Sequence, residues 1–419
     1  MINKLLKSND YLYRICINII LILSPFIILF RILNKKENSK RFLEKYCFFS
    51  KKKISGNLIW IHVASVGELM SIVPLIHKLE KSKKIKQILV TTTTVSSSKI
   101  FKKLKFKKTI HQFFPIDNNY LSLKFLNYWK PKLAIFVESE IWPNMLTNLK
   151  KKSINHILLN ARITNKTFKK WRKINFFAKE LFQSFNVVYP QNNETDKFLK
   201  KFECRKIKRL GNLKYTNTLT KIVDGIDKNI YKKKIIWCAS STHDSEEVIS
   251  GHAHIKIKKK IKNLLTIIIP RHINRCDEII KSLKNLNLKI HLHSSKSKVP
   301  DDVDIYLVDT YGETKKFFKI SKVVFLGGSI VKHGGQNPLE AARFGCKILH
   351  GKYVGNFLEI YSILSKNNQS TVVNSEKKLI NALIKNLNQK NNSDIFIKKL
   401  NRTGNDILKK TRIEILKFI

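Results

Sequence analysis

The chain has 419 residues, which is enough for two domains of ordinary size. It carries 81 lysines and arginines against 30 acidic residues, a formal charge of +51. These cations are spread along the whole chain without zinc-finger spacing or an aromatic RNA-binding motif, so dedicated nucleic-acid binding is not favoured. The charge could instead hold the protein to an anionic membrane surface, or reflect a compositional bias toward lysine, isoleucine and asparagine.

The six cysteines show neither a CxxC motif nor a metal-ligand spacing, and most of them lie in apolar runs. They are Cys16, Cys47, Cys204, Cys238, Cys276 and Cys346. This pattern is typical of small buried hydrophobic residues in a reducing compartment, and it predicts neither a disulfide framework nor a metal site.

Residues 1–53 form a segment of their own, with an apolar run at residues 15–30 bounded by Arg14 and Arg31. No small-residue cleavage site follows the run, so we interpret it as an uncleaved N-terminal membrane anchor. More lysines follow the run than precede it, which predicts that the rest of the chain is cytoplasmic. A helix lying on the membrane surface is the alternative, and it predicts the same side.

From residue 57 onward, apolar strand patterns alternate with helical patterns. The predicted strands are residues 57–63, 85–91, 132–137, 155–159, 186–189, 235–239, 264–269, 288–292, 304–308, 323–326 and 347–350. A polar stretch at 214–233 divides the series, and 393–419 predicts a basic helix. We therefore expect an α/β fold with two Rossmann-like domains, 54–220 and 221–419, and a ligand cleft at their interface.

In the first half, acidic residues follow two predicted strands. Ser65 and Glu68 have the spacing of a helix capping box, and a carboxylate at this position could also act as a general base. Glu138 and Glu140 follow the strand that ends at residue 137, where Rossmann-type domains bind ligands. Arg162 and Lys214 are candidate contacts for an anion, although each is a weak signal in so basic a chain.

In the second half, the pattern of residues 325–351 predicts a strand, a glycine loop, a helix and a second strand, in that order. The helix would have Asn337 as N-cap and Pro338 at its first position, and would stop at Gly345. Such a loop and helix start can bind an anion such as a nucleotide phosphate, although an ordinary strand-to-helix turn is the alternative.

Three further polar loops, 239–247, 270–272 and 309–313, follow strands of the same predicted sheet. Their convergence on one edge predicts a ligand site there. No Walker A motif and no GxGxxG fingerprint with a downstream acid is present, so neither NTP hydrolysis nor NAD binding is indicated.

Together these motifs resemble the 3-deoxy-D-manno-octulosonic acid (Kdo) transferases of lipopolysaccharide biosynthesis. The matching segments are WIHVASVGE (60–68), VESEIWPN (137–144), LNARIT (159–164), GNLKY (211–215), ASSTHDSEE (239–247), IIPRH (268–272), DTYGE (309–313) and FLGGSIVKHGGQNPLEAARFG (325–345). The resemblance implies a GT-B glycosyltransferase with two Rossmann-like domains facing across a cleft. It also implies an inverting transfer of Kdo from CMP-Kdo to a lipid A precursor, lipid IVA, on the cytoplasmic face of the inner membrane.

The resemblance further implies roles for individual residues. Glu68 would be the catalytic base, and Glu138 and Lys214 would stabilise the transition state, with Glu140 as the alternative to Glu138. The implied CMP-binding residues are Pro270, Arg271, Tyr311, Gly312, Glu313, Asn337, Pro338, Leu339 and Glu340.

We expect no metal and no cofactor, because cations and a helix end can neutralise the single phosphate that leaves as CMP. Two other functions stay open from the residues: a GT-B transferase that uses a UDP-sugar on a membrane lipid, and a non-catalytic basic protein associated with membrane or RNA.

Overall fold

The computed structural model describes residues 2–216, 234–295, 297–389 and 393–419. The predicted linker therefore lies outside the described residues from position 217 to position 233. The chain divides into two compact units: unit 1 comprises Met1–Thr218 and Thr403–Ile419, and unit 2 comprises Leu219–Arg402. The sequence pattern assigned residues 403–419 to the second domain, whereas the structure groups them with unit 1.

Unit 1 contains a parallel sheet with the strand order β3-β2-β1-β4-β5-β6. Its strands are β1 (Leu58–His62), β2 (Gln87–Thr92), β3 (Thr109–Phe113), β4 (Leu133–Val137), β5 (Asn155–Ala161) and β6 (Val187–Pro190). Its helices are α1 (Ile2–Leu33), α2 (Val66–Glu80), α3 (Val95–Lys103), α4 (Asn119–Trp129), α5 (Pro143–Lys151), α6 (Asn165–Arg172), α7 (Asn175–Ser184) and α8 (Asn193–Lys201). The strand order reverses between β1 and β4, so the loops after these two strands flank the position where such sheets bind ligands.

Unit 2 contains a second parallel sheet, in the order β13-β12-β11-β7-β8-β10-β9. Its strands are β7 (Ile235–Thr242), β8 (Leu264–Pro270), β9 (Ile290–Leu292), β10 (Ile305–Leu307), β11 (Val323–Leu326), β12 (Lys347–His350) and β13 (Ser370–Val372). Its helices are α9 (Glu246–Lys258), α10 (Cys276–Lys284), α11 (Thr314–Ile320), α12 (Leu339–Arg343), α13 (Leu358–Lys366) and α14 (Glu376–Asn388), and the boundary between the units falls within α15 (Asp394–Leu416).

The predicted pair of Rossmann-like sheets is confirmed, and all eleven predicted strands are present among the described residues. Two further strands, β3 and β13, were not predicted, and both lie at a sheet edge. The sequence of β3 places His111 and Gln112 in buried positions, and β13 has only three residues. Neither strand shows the continuous apolar run that marks the central strands of a parallel sheet.

The apolar run near the N-terminus is helical, as predicted, and it belongs to α1. Its segment Tyr11–Leu33 is long and apolar enough to cross a membrane by length and composition.

A buried carboxylate organises the loop after β11. Glu246, the first residue of α9, is fully buried. Its oxygens accept hydrogen bonds from the backbone N–H groups of His243 at 2.9 Å, Gly328 at 2.7 Å, Ser329 at 3.3 Å and Ile330 at 3.1 Å. The first part of the glycine loop therefore binds an internal carboxylate, where the sequence predicted a ligand.

Gly327 is required at the start of this loop because of the same carboxylate. A Cβ atom at this position would lie 2.6 Å from Oε2 of Glu246 and 2.5 Å from the carbonyl oxygen of Ser241. Both distances are shorter than van der Waals contact allows, so only glycine lets the loop approach α9 this closely.

We expect Glu246→Ala to destabilise the protein, because it leaves four backbone N–H groups without their acceptor. The loss of buried hydrogen bonds of this kind costs roughly 3 kcal/mol, which corresponds to a fall in the melting temperature of roughly 5–10 °C. Glu278→Ala is the matched control, since the Glu278 side chain is 63% exposed. Equal melting temperatures for the two variants in a thermal unfolding scan would contradict this role of Glu246.

Candidate active site

Glu68 lies at the start of α2, on the loop after β1, and it forms the predicted capping box. Its N–H donates to Oγ of Ser65 at 3.3 Å, and its Oε2 accepts from the N–H groups of Ala64 at 2.6 Å and Ser65 at 3.2 Å. The cap uses only one carboxylate oxygen. Oε1 has no hydrogen-bond partner in the described part of the chain, so this atom is available to accept a proton.

The surroundings of Glu68 raise the pKa of its carboxyl group to about 7. Burial is the largest cause, followed by the negative charges of Glu140 and Glu138, and the two N–H groups of the cap oppose the shift. A carboxyl group with this pKa exchanges its proton near neutral pH, which is what a general base requires.

Glu138 follows β4 directly and forms a buried ion pair. Its Oε1 lies 2.9 Å from Nζ of Lys214, and both side chains are shielded from solvent. Its backbone has φ +60°, a left-handed conformation that a glutamate adopts only at a cost of about 1–3 kcal/mol. Strain of this kind is typical of functional sites.

Asn160, at the end of the neighbouring strand β5, connects both partners of this pair. Its side-chain amide donates to Oε1 of Glu138 at 3.4 Å, and its Oδ1 accepts the N–H of Leu213 at 2.9 Å. It therefore fixes the carboxylate and the segment that carries Lys214 with one side chain.

The segment around Lys214 also rests on the part of α15 that belongs to unit 1. A Cβ atom at Gly404 would lie 2.1 Å from the carbonyl oxygen of Tyr215, so the two backbones are in direct contact. A Cβ atom at Gly211 would similarly lie 2.7 Å from the side chain of Ile407. Close backbone packing by two glycines thus holds both flanks of Lys214 against α15.

Glu140 is bound by hydrogen bonds rather than by a lysine. Its Oε2 accepts from Nε2 of His62 at 3.0 Å and from the indole N–H of Trp142 at 2.9 Å. His62 is fully buried, and its Nδ1 lies 2.9 Å from Oγ1 of Thr91. Because an ionised carboxylate only accepts, Nε2 of His62 carries the proton. His62 thus connects the Glu140 carboxylate to Thr91 on the neighbouring strand β2.

In unit 2, the four polar loops predicted to converge do follow parallel strands at one edge of the sheet. Three histidines meet there. The rings of His243 and His333 stack with their centres 4.1 Å apart, and the ring of His272 is 6.0 Å from that of His243. Burial lowers the pKa of His243 to about 4, and the charges of His333, His272 and nearby arginines act in the same direction. His243 is therefore neutral at physiological pH.

Arg271 is an exposed cation at this edge. Its backbone N–H donates to the carbonyl of Thr242 at 3.0 Å, which fixes the position of the residue beside β7. Its guanidinium has no hydrogen-bond or ion-pair partner within the described residues. An arginine held in this way at a strand end can bind a phosphate with two parallel hydrogen bonds.

The two other predicted nucleotide-binding segments lie close to each other. Glu340 and Lys315 form an ion pair at 3.3 Å, which joins α12 to α11, and Glu313 pairs with Lys316 at 2.6 Å. Tyr311 is 68% exposed, and Gly312 has φ +92° with open space beside it.

The other predicted CMP-binding residues offer a ligand mainly their backbone atoms. The helix α12 begins at Leu339 with Pro338 as its N-cap, one residue later than the predicted start with Asn337 as N-cap and Pro338 as first residue. Oδ1 of Asn337 accepts the N–H of Leu339 at 3.1 Å from outside the helix, and the helix ends before Gly345 as predicted. Pro270, Pro338 and Leu339 are buried, so their side chains support the loops and only their backbone atoms could contact a ligand.

The sequence did not reveal several contacts of these sites: the hydrogen bonds of Asn160 to Glu138, the His62–Glu140 contact, the Glu246 anchor and the stacked histidines. Each pair joins residues that are far apart in sequence, so no local spacing marks it. The one signal for Asn160 was its position directly after a predicted strand.

The fold is that of the GT-B glycosyltransferases. A crystal structure of a glycosyltransferase from Rickettsia africae has a TM-score of 0.57 and 14% identity to this chain, and the match covers 87% of this chain and all of that one.

The sequence identifies the family more narrowly. The family model described as 3-deoxy-D-manno-octulosonic-acid transferase (kdotransferase) matches residues 40–217. The 3-deoxy-D-manno-octulosonic acid transferase of Rickettsia prowazekii is 35% identical over 81% of this chain and 74% of its own length. The enzyme of the same description from Haemophilus influenzae is 29% identical over 94% of both chains. The chain belongs to the Kdo transferase family, as the sequence motifs indicated.

We expect Lys214→Met to destabilise the protein by about 3–5 kcal/mol at neutral pH, because Glu138 then becomes a buried charge without a partner. The double variant Lys214→Met, Glu138→Gln should recover most of this loss. Lys179→Met is the control, since Lys179 pairs with the exposed Glu203 and should cost little. Chemical unfolding at pH 7 measures all three, and a double variant no more stable than Lys214→Met would show that the two residues are not coupled.

Proposed function

We propose that the protein transfers Kdo from CMP-Kdo to a lipid A precursor, lipid IVA, in lipopolysaccharide biosynthesis, with inversion at the sugar carbon. Membership of the Kdo transferase family supports the reaction class. The mechanism rests on one observation: the carboxyl group of Glu68 has a pKa of about 7, and one of its oxygens has no hydrogen-bond partner among the described residues.

In the proposed reaction, Glu68 removes the proton from an acceptor hydroxyl, whose oxygen attacks the anomeric carbon of Kdo. The bond from that carbon to the phosphate oxygen breaks, and CMP leaves with the bonding electrons. A single displacement of this kind inverts the configuration of the sugar carbon. Glu138, held by Lys214, would stabilise the positive charge that develops on the sugar, as a carboxylate does in other glycosyl transfers.

Unit 2 is proposed to bind the CMP portion of the donor. Arg271 is suited to the phosphate, because its guanidinium is exposed and lacks a partner within the described residues. Glu340 could accept the two ribose hydroxyls, although this would compete with its ion pair to Lys315. Residues 311–313 and 337–340 would contribute through exposed side chains and through backbone atoms. We continue to expect that no metal and no cofactor is needed.

We further propose that the protein works at the cytoplasmic face of the inner membrane. The apolar segment of α1 supports membrane association, and the charge of +51 suits a surface of anionic lipid and a phosphorylated acceptor.

Glu68→Gln is expected to reduce transfer at least a hundredfold while CMP binding stays unchanged, because glutamine keeps the helix cap but cannot accept the proton. Ser65→Ala is the matched control: it weakens the same cap by about 1 kcal/mol and leaves the base in place. A radiolabelled CMP-Kdo transfer assay on lipid IVA measures both variants. Near-normal transfer by Glu68→Gln, or an equal loss in Ser65→Ala, would reduce Glu68 to a structural role.

The transfer rate should depend on pH through Glu68. A general base acts only when deprotonated, so kcat/KM should rise about tenfold per pH unit below pH 7 and level off above it. Glu140→Gln removes a negative charge that raises the pKa of Glu68, so the rising limb should move to lower pH. The exposed Glu194→Gln should leave the profile in place. A profile that is flat from pH 5 to pH 8 would contradict the assignment.

Arg271→Ala should weaken CMP-Kdo binding by roughly tenfold to a hundredfold, the usual contribution of a charge-assisted hydrogen bond. The exposed Lys281→Ala, in α10 of the same unit, controls for the loss of one positive charge. Titration calorimetry with CMP-Kdo measures both variants, and an unchanged affinity would remove Arg271 from the donor site.

The same calorimetry, run with a UDP-sugar on the unaltered protein, distinguishes the alternative GT-B function. Binding of the UDP-sugar in preference to CMP-Kdo would favour that alternative over Kdo transfer.

A further inference from the structure

One face of α1 is shielded by the rest of unit 1 along nearly the whole apolar segment. The residues of this shielded stripe recur every three or four positions: Tyr13, Ile17, Leu21, Ser24, Ile28 and Arg31. That spacing is one face of an α-helix. From Tyr13 to Arg31 the stripe is roughly 27 Å long at 1.5 Å per residue.

The helix α1 is attached to unit 1 by polar contacts as well as by packing. The hydroxyl of Tyr13 donates to Oδ2 of Asp117 at 2.7 Å, and the amide of Asn118 donates to Oδ1 of Asn18 at 2.8 Å. The hydroxyls of Ser24 and Tyr46 share a hydrogen bond of 2.6 Å. These partners belong to the folded part of unit 1, so α1 is joined to that unit at several points along its length.

Asp117 makes the attachment difficult to release. It is buried at 2% exposure, and it also accepts the backbone N–H groups of Asn144 at 3.1 Å and Met145 at 2.9 Å at the start of α5. At the far end of the stripe, Glu37 pairs with Arg31 at 3.3 Å and also binds Lys45 at 2.5 Å. Both ends of the shielded stripe are therefore fixed to the unit by buried carboxylates.

The opposite face of α1 is apolar and uncovered in the described part of the chain. Twelve large hydrophobic residues there are each between 45% and 74% exposed: Tyr11, Leu12, Ile15, Ile19, Ile20, Ile22, Leu23, Phe26, Ile27, Leu29, Phe30 and Leu33. A soluble surface does not normally carry so large a continuous apolar patch, so this face needs an apolar partner.

These contacts do not fit a helix that crosses the bilayer. The hydrocarbon core is about 30 Å thick, nearly the length of the shielded stripe. A crossing helix would therefore bring Asp117, Asn118 and Tyr46 into the hydrocarbon, or would have to break its contacts with all three. Both alternatives carry a cost of several kcal/mol, because each leaves polar groups in lipid or a buried carboxylate without its donor.

We propose that α1 lies in the plane of the membrane, with its shielded stripe on unit 1 and its apolar face in the boundary between phospholipid headgroups and acyl chains. In this position the exposed apolar side chains of α1 enter the lipid while the contacts of its shielded stripe with unit 1 are kept. Unit 1 is then attached along the length of α1, and both ends of the helix are on the same side of the bilayer.

Neighbouring parts of unit 1 extend the same membrane-binding surface. Phe48, Tyr120 and Phe176 are between 43% and 68% exposed, and each lies within two residues of a residue that contacts α1. Lys124 places its ammonium group 5.0 Å from the centre of the Phe48 ring. Aromatic rings beside lysines are suited to the depth at which anionic headgroups lie. Their presence supports phospholipid as the partner that covers the exposed face of α1.

The proposal is tested by determining on which side of the bilayer each end of α1 lies. In a background with Cys16, Cys204 and Cys276 replaced by serine, single cysteines are introduced as Ser8→Cys before the apolar segment and Ser39→Cys after it. Lys81→Cys, at an exposed position of unit 1, marks the side of the folded unit. Sealed right-side-out and inverted vesicles are then treated with a membrane-impermeant maleimide.

We expect all three cysteines to be labelled from the same face. Labelling of Ser8→Cys from the opposite face, with the other two unchanged, would show a spanning helix and overturn the proposal.

A depth measurement gives an independent answer without altering the shielded stripe. Nitroxide labels are placed through Leu12→Cys, Ile19→Cys and Phe26→Cys, which are seven residues apart on the exposed face. An in-plane helix places all three at a similar depth, about 5–10 Å into the headgroup boundary. A spanning helix would separate successive labels by about 10 Å in depth. Neither experiment measures Kdo transfer, so the results of both are independent of whether the proposed function is correct.

Discussion

The ion pair between Glu138 and Lys214 is the interaction on which the site of unit 1 depends. Burial, together with the negative charges of Glu140 and Glu138, raises the pKa of Glu68 to about 7. The amine of Lys214, 2.9 Å from Glu138, balances part of this negative charge, and removing one partner of such a buried pair is strongly destabilising. The pair thus balances one of the two negative charges that lie beside the Glu68 carboxyl group.

Much of this arrangement could be predicted from the sequence, because parallel strands have a strong local signature. Buried apolar runs located eleven strands, and the rule that ligands bind at their carboxyl ends located Glu68, Glu138 and Arg271. The edge strands β3 and β13 were not predicted, because β3 has polar residues in buried positions and β13 is very short. Contacts between distant residues, such as His62 with Glu140, have no local signature at all.

In the first part of the glycine loop of unit 2, the sequence predicted the close approach of backbone to an anion but not the identity of that anion. Gly327 and Gly328 do allow a close approach of backbone N–H groups to an anion. The anion that Gly328 and the next two residues bind is the side chain of Glu246, which belongs to the chain itself. A motif predicts the conformation of a loop from the nearest residues, whereas the acceptor lies about eighty positions away and becomes visible only in three dimensions.

The return of the last helix to unit 1 has a consequence for the order in which the protein can fold. Gly404 packs against Tyr215, beside Lys214, although some 190 positions separate the two residues in the chain. During synthesis, unit 2 leaves the ribosome before residues 403–419 do. The segment that carries Lys214 therefore lacks this support until residues 403–419 have left the ribosome, after the whole of unit 2.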